Sequence, residues 1–490
     1  MMSEPKRLHP ITIIFNAAKN VKEVIIPLLL YFAVFAFKDG INTKLLMWAP
    51  AVIVLAGLVL MGVPAFISWL RYTYRVEDME LRIEYGLFVK KKRYIPFDRI
   101  QSLDFSEHIL HRPFGLVKVK VETAGGNDDS AEAEMSAVKK EEAEALKRLI
   151  AEAKNSKNPN VISEEEVEVE KESILYKISQ KQLLFIASTS GSAGVVLSAI
   201  FAFASQFNDI IPFEKFFDEL QHIVKAGYVL LGILIIIGLI LAWIISVVMA
   251  YLKYNDFTLK VVENDLVITR GLLEKRTTTI PIRRIQAIRI QESPFRQPFG
   301  YASVSVEYAG SAIDEKAEGL IIPVVKKNII GTILGETLTD YSFHPEIIPA
   351  PRSAKSRYLF MKFCIFAIVT LILSIWLWPY GLLSALLIIG ASVLGLYQFK
   401  SAGYSITGSQ LTLRYRGIDQ QTVLMKKNRI QSVDMSVNWF QKRAGLASVE
   451  TSVMSGGNSS AKVKHIRLED AKEIYEWYRP NIVKADHGNI

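Results

Sequence analysis

Three clusters of basic residues are the side chains in this sequence best suited to binding an anion. They are Lys90-Lys91-Lys92-Arg93, then Lys275-Arg276 with Arg283-Arg284, and then Lys426-Lys427 with the nearby Arg414 and Arg416. Near an anionic bilayer, each cation contributes roughly 1 kcal/mol of binding. The candidate chemistry is therefore capture of an anionic ligand or lipid headgroup. The alternative is a generally positive surface that has no defined ligand.

A second set of residues recurs at a fixed spacing. Arg-Ile-Gln occurs three times, and a glycine stands 16 residues after each Arg. The set is Arg99, Gln101 and Gly115, then Arg284, Gln286 and Gly300, then Arg429, Gln431 and Gly445. Glycine permits backbone angles that other residues avoid, and Ile and Val at every second position line one face of a strand. We favour a role in maintaining the fold, and only the Arg and Gln of each copy could also contact a ligand.

The sequence lacks the motifs of common enzymes. It contains no Gly-x-Ser-x-Gly, no His-Glu-x-x-His, no phosphate-binding loop and no cysteine cluster. The seven histidines are scattered, and the one cysteine, Cys364, lies in a hydrophobic stretch, so neither a metal site nor an intrachain disulfide is expected. The sequence predicts a non-enzymatic protein without a metal or a cofactor.

The recurring residues mark an internal duplication. Residues 99–126 and 284–311 are identical at 12 of 28 positions without a gap. Each copy lies in a longer unit of short antiparallel strands that ends in a helix, as the alternating apolar residues indicate, and the helix of the first copy is rich in Ala, Glu, Lys and Leu. The three closing strands are predicted at 131–138, 319–325 and 462–466, and the three helices at 139–154, 326–338 and 469–478.

Half of the residues are hydrophobic, and they cluster into stretches without charge at 45–70, 182–208, 226–252 and 363–399. A helix needs about 20 apolar residues to cross a bilayer. The last stretch is divided into two by Trp378-Pro379-Tyr380-Gly381. Residues 24–37 become long enough only if the span extends back to Ala17. With that extension the sequence predicts about six spans in three hairpins, one before each repeat.

Lysine and arginine predict the orientation of these spans. The loops inside the hairpins hold four Lys and no Arg, whereas the other side carries many of both close to the span ends. The positive-inside rule then places both termini and all three repeats in the cytoplasm of a multi-pass protein of the cell membrane. A net charge of +9 also fits nucleic acid, but the spans favour the anionic inner leaflet as the partner, so membrane lipids and no nucleic acid are expected.

These patterns divide the chain into eight parts. They are an N-terminal segment and first hairpin at 1–70, a first domain at 71–154, an acidic linker at 155–181, a second hairpin at 182–252, a second domain at 253–340, a third hairpin at 341–399, a third domain at 400–480 and a tail at 481–490.

The repeated unit resembles a known family. Ile-Pro-Phe-Asp-Arg-Ile-Gln-Ser at 95–102, Arg-Pro-Phe-Gly-Leu at 112–116 and Val-Glu-Thr-Ala-Gly-Gly at 121–126 are similar to the second group of bacterial pleckstrin-homology (PH) domains. The threefold arrangement of hairpin and domain resembles the YdbT-like membrane proteins of Gram-positive bacteria. The third copy departs from the motif, with Met425-Lys426 in place of Ile-Pro and Arg443-Ala444 in place of Pro-Phe.

The resemblance implies a fold of membrane helical hairpins alternating with three α+β PH-like β-barrels, each capped by a C-terminal helix. It also implies a non-enzymatic scaffold or accessory factor in envelope protection, with resistance to membrane-active bacteriocins as one role and a smaller membrane protein with one PH-like domain as partner. A homo-oligomer is a further expectation. The alternative function is an exporter or binder of a lipid or antimicrobial peptide.

Overall fold

The computed structural model describes residues 4–13, 62–123, 133–155, 173–189, 228–308, 319–376, 378, 380–454 and 459–479. Most of the first predicted hairpin, most of the first span of the second hairpin with the loop after it, the charged stretch of the linker and the C-terminal tail lie outside these residues.

Three described helices are long and apolar enough to cross a membrane. They are Ile236–Tyr254, Ala354–Trp376 and Gly381–Ser401, with mean hydropathies of 2.2, 2.3 and 2.0. The last two pack along each other, and a Cβ added at Gly395 would lie 2.9 Å from the carbonyl oxygen of Tyr358. The predicted total of six spans is not supported, because the other predicted spans lie wholly or partly outside the described residues.

The helices are numbered here in chain order over the described residues. They are α1 (Lys140–Asn155), α2 (Gln180–Ser188), α3 (Tyr228–Tyr254), α4 (Ile330–Leu334), α5 (Ala354–Trp376), α6 (Ala385–Ser401), α7 (Trp439–Lys442) and α8 (Leu468–Tyr478). Residues 62–71 are also helical and lead into the first domain. The helix predicted at 326–338 is shorter than expected, because only Ile330–Leu334 form an α-helix there.

In the part of the chain that the structure describes, each domain contains six strands, and a seventh strand from before the domain joins them. The first set is β1 (Lys6–Arg7), β2 (Thr73–Glu77), β3 (Glu80–Tyr85), β4 (Lys91–Pro96), β5 (Ile100–His108), β6 (Leu116–Thr123) and β7 (Ala133–Lys139). The second is β8 (Ser173–Lys177), β9 (Thr258–Val262), β10 (Asp265–Arg270), β11 (Glu274–Pro281), β12 (Ile285–Glu292), β13 (Tyr301–Tyr308) and β14 (Leu320–Lys326). The third is β15 (Ile348–Pro349), β16 (Gly403–Thr407), β17 (Gln410–Arg416), β18 (Gln420–Lys426), β19 (Ile430–Ser436), β20 (Leu446–Val453) and β21 (Ser459–Arg467). Strand β8 lies in the segment that the sequence assigned to the acidic linker.

The strands form four sheets that run across the domain boundaries. Their orders are β1-β2-β3-β4, then β7-β6-β5-β11-β10-β9-β8, then β14-β13-β12-β18-β17-β16-β15, and then β19-β20-β21. The second half of the first domain therefore continues into the first half of the second domain. The second and third domains are joined in the same way.

The prediction of three closed barrels is not supported, because no sheet closes among the described residues. Between β4 and β5 the chain turns through the 3-10 segment Phe97–Arg99, whose flanking residues Pro96 and Ile100 are extended. The corresponding turns are Ile282–Arg284 and Lys427–Arg429. Each turn directs the following strand away from its own half-sheet, so in the first two domains that strand pairs with the next domain.

The hydrophobic cores explain why the joined domains hold together. There are three buried clusters, roughly one per domain. Leu424 of β18 belongs to the core of the second domain, and Ala287 of β12 belongs to the core of the third. Both side chains are fully buried. Separating these two domains would expose apolar surface, which costs about 25 cal/mol per Å².

Candidate functional site

The recurring Arg-Ile-Gln motif forms the corner between the two half-sheets of each domain. Its Arg is the last residue of the 3-10 turn, and its Ile begins the next strand. The strand register shifts directly after each Ile, at Gln101, Gln286 and Gln431, so the Gln is a β-bulge residue in every copy. A bulge bends a strand and increases its twist. The motif therefore recurs because the corner recurs.

The glycine of each copy has an equally local role. Gly115, Gly300 and Gly445 have φ angles of 60°, 70° and 63°, in the left-handed region, and each follows a short helical turn before a strand. Glycine reaches this region without the steric cost that a Cβ imposes. These conformations support the architectural interpretation of the motif.

Four of the candidate basic residues line one cleft between the second and third domains. Arg283 comes from the corner of the second domain, and Lys426, Lys427 and Arg429 come from the corner of the third. The cavity has a volume of about 940 Å³. Residues 337–341, Ser409 and Tyr478 complete much of its wall. We call this cavity the corner cleft.

Backbone and aromatic contacts hold the cations of the corner cleft in place. The Arg429 guanidinium donates to the Arg283 carbonyl oxygen at 2.7 Å, which ties the two domains together. The Lys426 Nζ lies 5.4 Å from the ring centre of Tyr341, and the Lys427 Nζ lies 5.5 Å from that of Trp477. A cation over an aromatic face is stabilised without losing its charge.

One carboxylate faces these four cations in the cleft wall. Asp340 is highly exposed, and its Oδ2 lies 3.9 Å from the Lys426 Nζ. Burial raises the pKa of the neighbouring Tyr341 to about 12, Arg429 acts against that shift, and Asp340 adds to it. Tyr341 is therefore neutral at physiological pH, and the cleft is net positive. Such a surface suits a phosphate or carboxylate group of a ligand.

The remaining basic candidates lie elsewhere. Lys275 and Arg276 are in β11, opposite Glu107 and Ser106 of β5, at the junction of the first two domains. The run Lys90 to Arg93 lies at the outer edge of the first sheet. There the Lys90 and Lys92 Nζ atoms lie 2.5 Å and 3.6 Å from Glu84, and the hydrogen bond from Lys90 lowers the pKa of that carboxyl. The structure thus divides the basic candidates among three environments, and it splits the second cluster between the corner cleft and the first junction.

The junction of the second and third domains contains a partly buried polar network. Arg289 of β12 forms a salt bridge with Glu307 of β13 and donates at 2.7 Å to the hydroxyl of Tyr415 in β17. It also bonds to Gln421 of β18. The flanking strands pair without interruption from Ala287 opposite Met425 to Glu292 opposite Gln420. Buried charges are stable only when they are paired and hydrogen-bonded, so this arrangement specifies the junction.

The same junction is connected to the membrane helix α6. Ser401, the last residue of α6, donates from its hydroxyl to the Gln420 side chain at 2.8 Å and accepts from Arg416 Nε at 2.9 Å. The Gln420 amide in turn donates to Glu292 at 2.7 Å. Hydrogen bonds therefore connect the end of a membrane helix to the junction of two domains.

Neither Arg289 nor the aromatic side chains that contact Lys426 and Lys427 were identified from the sequence. Arg289 occupies an alternating polar position in β12, where a solvent-facing side chain looks the same in sequence as one covered by another domain. Tyr341 and Trp477 lie far from the Arg-Ile-Gln motif in the chain. The only available signal was that basic residues recur beside the motif in every copy.

Comparison with known proteins identifies the family of the repeated units. The chain matches the family described as "Bacterial PH domain" three times, over residues 24–154, 215–335 and 361–482. These matches cover most of the chain, so the protein belongs to the bacterial PH domain family. It is also 38% identical, over 99% of its own length and 100% of the relative's, to the UPF0699 transmembrane protein YdbT of Bacillus subtilis (strain 168).

The family and the relative establish the coarse character of the protein. It is a transmembrane protein that carries three PH-like units, and the predicted resemblance is confirmed. A family of this kind favours a non-catalytic protein. Among the described residues, no group of three His, Cys, Asp or Glu side chains could hold a metal ion. The orientation of the spans stays a prediction.

Proposed function

We propose that this protein is a non-enzymatic scaffold of the cell membrane that holds three PH-like units in a fixed row on the cytoplasmic side. The observation that carries the proposal is the continuity of the sheets: β5 pairs with β11, and β12 pairs with β18. Domains that share a sheet and interlocked cores cannot turn independently. A fixed row is suited to displaying binding surfaces at constant spacing.

The proposed role is protection of the cell envelope, with resistance to membrane-active bacteriocins as its measurable form. The family resemblance motivates this role, and a smaller membrane protein with one PH-like domain is the proposed partner. A strain that lacks the gene should be inhibited by lower bacteriocin concentrations than its parent, and the full chain should restore resistance. Equal inhibition of both strains, over a panel of membrane-active peptides, would contradict the role.

The partner is tested separately from the phenotype. The full-length protein, extracted from its native membrane in mild detergent, should bring with it a smaller membrane protein in a fixed ratio. A chain carrying Arg289→Ala is the comparison, because this substitution weakens the junction between the second and third domains without changing an exposed residue. Recovery of the chain with an enriched lipid or peptide and no protein would instead favour the binder or exporter.

The corner cleft favours a second candidate function, which is binding of an anionic lipid. Four cations surround about 940 Å³ of space at a domain junction. The full chain in detergent should bind a short-chain phosphatidylglycerol more tightly than the matching phosphatidylcholine. Replacing Arg283 and Lys427 by Gln removes two cations, so the affinity should fall about 30-fold, given roughly 1 kcal/mol per cation.

The first basic run provides a control of equal charge. Lys91→Gln with Arg93→Gln removes the same two charges from the edge of the first sheet and should leave cleft binding unchanged. If both double variants weaken binding equally, the lipid responds to general charge and the cleft is not its site. Transport of a lipid or peptide by the purified chain in liposomes would favour the exporter over both proposals.

A further inference from the structure

Among the edge strands of the described sheets, β4 and β19 correspond to strands that are paired between domains elsewhere in the chain. Strand β4 ends the first four-stranded sheet, and β19 ends the last three-stranded sheet. The strands that correspond to β4 in the other domains are β11 and β18, and those that correspond to β19 are β5 and β12. All four are paired with one another inside the chain. Among the described residues, one strand of the β4 type and one of the β19 type therefore remain unpaired, at the two ends of the row.

The two internal junctions have the same register. In the first, Glu107 lies opposite Lys275, and in the second, Glu292 lies opposite Gln420. Counted along the repeats, each Glu stands eight residues after its motif Arg, and each partner stands nine residues before the Arg of the next domain. A one-residue slip would turn every side chain to the other face, so this agreement identifies a repeated mode of docking.

The free edges are chemically matched in that register. If β19 paired with β4 in the register of the internal junctions, Ser436 would lie opposite Lys91, Met435 opposite Lys92 and Asp434 opposite Arg93. Residues 430–438 contain no Lys or Arg, and Asp434, Met435 and Ser436 are exposed. Side chains directly opposite each other on paired strands interact, and opposite charges there are favourable.

Lysines on an edge strand often serve to prevent pairing, and β4 carries several. The first internal junction argues against that interpretation here. Lys275 and Arg276 of β11 occupy the positions that correspond to Lys90 and Lys91, yet β11 pairs with β5. Cations at these positions are therefore compatible with this junction.

We propose that β19 of one chain pairs with β4 of a second copy of this chain, antiparallel and in the register of the internal junctions. Pairing of this kind is heterologous, since each added copy leaves one β4 and one β19 free, and it produces rows or closed rings. A ring or row would extend the proposed scaffold beyond three domains. Pairing of β4 with a second β4 is disfavoured because it places cations against cations.

The test is disulfide cross-linking between two differently tagged full-length chains in the same membrane. Cys364, the only cysteine, is first replaced by Ser. One chain then carries Ser436→Cys and the other Lys91→Cys. Because these positions lie directly opposite each other in the proposed register, oxidation should join the two tags. Met435→Cys with Lys92→Cys should do the same.

The register itself provides matched controls. Ser436→Cys with Lys92→Cys, and Met435→Cys with Lys91→Cys, place the two sulfurs on opposite faces of the sheet and should cross-link at least about threefold less. Asp434→Lys should lower the yield of the correct pair by roughly threefold or more, since it places like charges opposite each other. Adding Arg93→Glu in the other chain should restore the yield.

Four outcomes would overturn the proposal. Cross-linking of Ser436→Cys chains to each other would show that β19 pairs with β19. Linkage only when both cysteines are in the same chain would show closure within one chain. Equal yields for matched and slipped pairs would show random collision. No linkage in any combination would show that neither edge receives a second copy, and it would leave the bacteriocin and partner tests of the scaffold unaffected.

Discussion

His465 is a partly buried histidine whose protonation should affect the stability of the third domain. Its ring lies 5.0 Å from that of Tyr358 in α5, and its Nδ1 lies 3.0 Å from the Gln441 amide nitrogen. Burial, together with the neighbouring charges of Lys464 and Arg357, lowers the pKa of His465 to about 4. An unfolded histidine has a pKa of about 6.5.

The sign of the pH effect follows from these two values. Between about pH 6.5 and pH 4 the unfolded chain binds a proton that the folded chain does not, so the free energy of unfolding falls as the pH falls. His465→Asn removes this proton, and Asn tolerates the left-handed φ of 58°. The melting temperature of the variant should therefore fall less between pH 7 and pH 5 than that of the unaltered chain.

A measurement at pH 8 is the control for the histidine prediction. There His465 is neutral in both states, so any difference between the two chains reports packing alone. Parallel curves for the two chains from pH 8 to pH 5 would contradict the prediction.

At the scale of single elements, the turn between β10 and β11 depends on Gly271. Its φ is +104°, and an added Cβ would lie 2.1 Å from the Glu274 carbonyl oxygen. Gly271→Ala must therefore move backbone, which costs about 1–3 kcal/mol beyond the strain of the angle. Because β11 is the strand that meets the first domain, hydrogen exchange should increase in both β11 and β5.

Gly300→Ala is the matched control for this turn. Gly300 also has a positive φ, of +70°, but open space surrounds its Cβ position. The Gly300→Ala chain should lose only the free energy of unfolding that the positive φ costs, about 1–2 kcal/mol. Strand β5 should keep its protection from hydrogen exchange. Equal losses from both substitutions would show that the close approach at Gly271 does not matter.

At the scale of the whole molecule, Arg289 determines how firmly the second and third domains are joined. Arg289→Ala leaves Glu307 without its salt bridge and removes the hydrogen bonds to Tyr415 and Gln421. Breaking a fully buried pair costs about 3–5 kcal/mol, and because this pair is partly exposed the loss should be no more than about 3 kcal/mol. We expect faster hydrogen exchange in β12 and β18 and easier proteolysis between the two domains.

An exposed salt bridge in the third domain provides the comparison. Lys462 and Glu450 lie 2.6 Å apart, and both side chains are more than one-third exposed. Lys462→Ala should cost less than about 1 kcal/mol and leave the junction protected. If Arg289→Ala proves equally mild, the junction is held by its apolar strands alone.

The sequence by itself determined the repeated plan of this protein. Glycine at a fixed distance from Arg-Ile-Gln, alternating apolar residues and long uncharged stretches are local signals, because turns, strands and membrane helices depend on neighbouring residues. They predicted three β-sheet units and their membrane helices, and the motif itself supported the family. The individual basic residues were also found, but not which of them lie together.

Only the tertiary structure decided how the units connect. An alternating strand carries the same pattern whether it closes a barrel or pairs with another domain, because its hydrogen-bonding edge is backbone and has no sequence signature. Because of the corner turns, β5 and β12 pair with strands of the following domains instead of closing the predicted barrels. These turns also placed Arg283 beside Arg429 and left β4 and β19 at the two ends of the row.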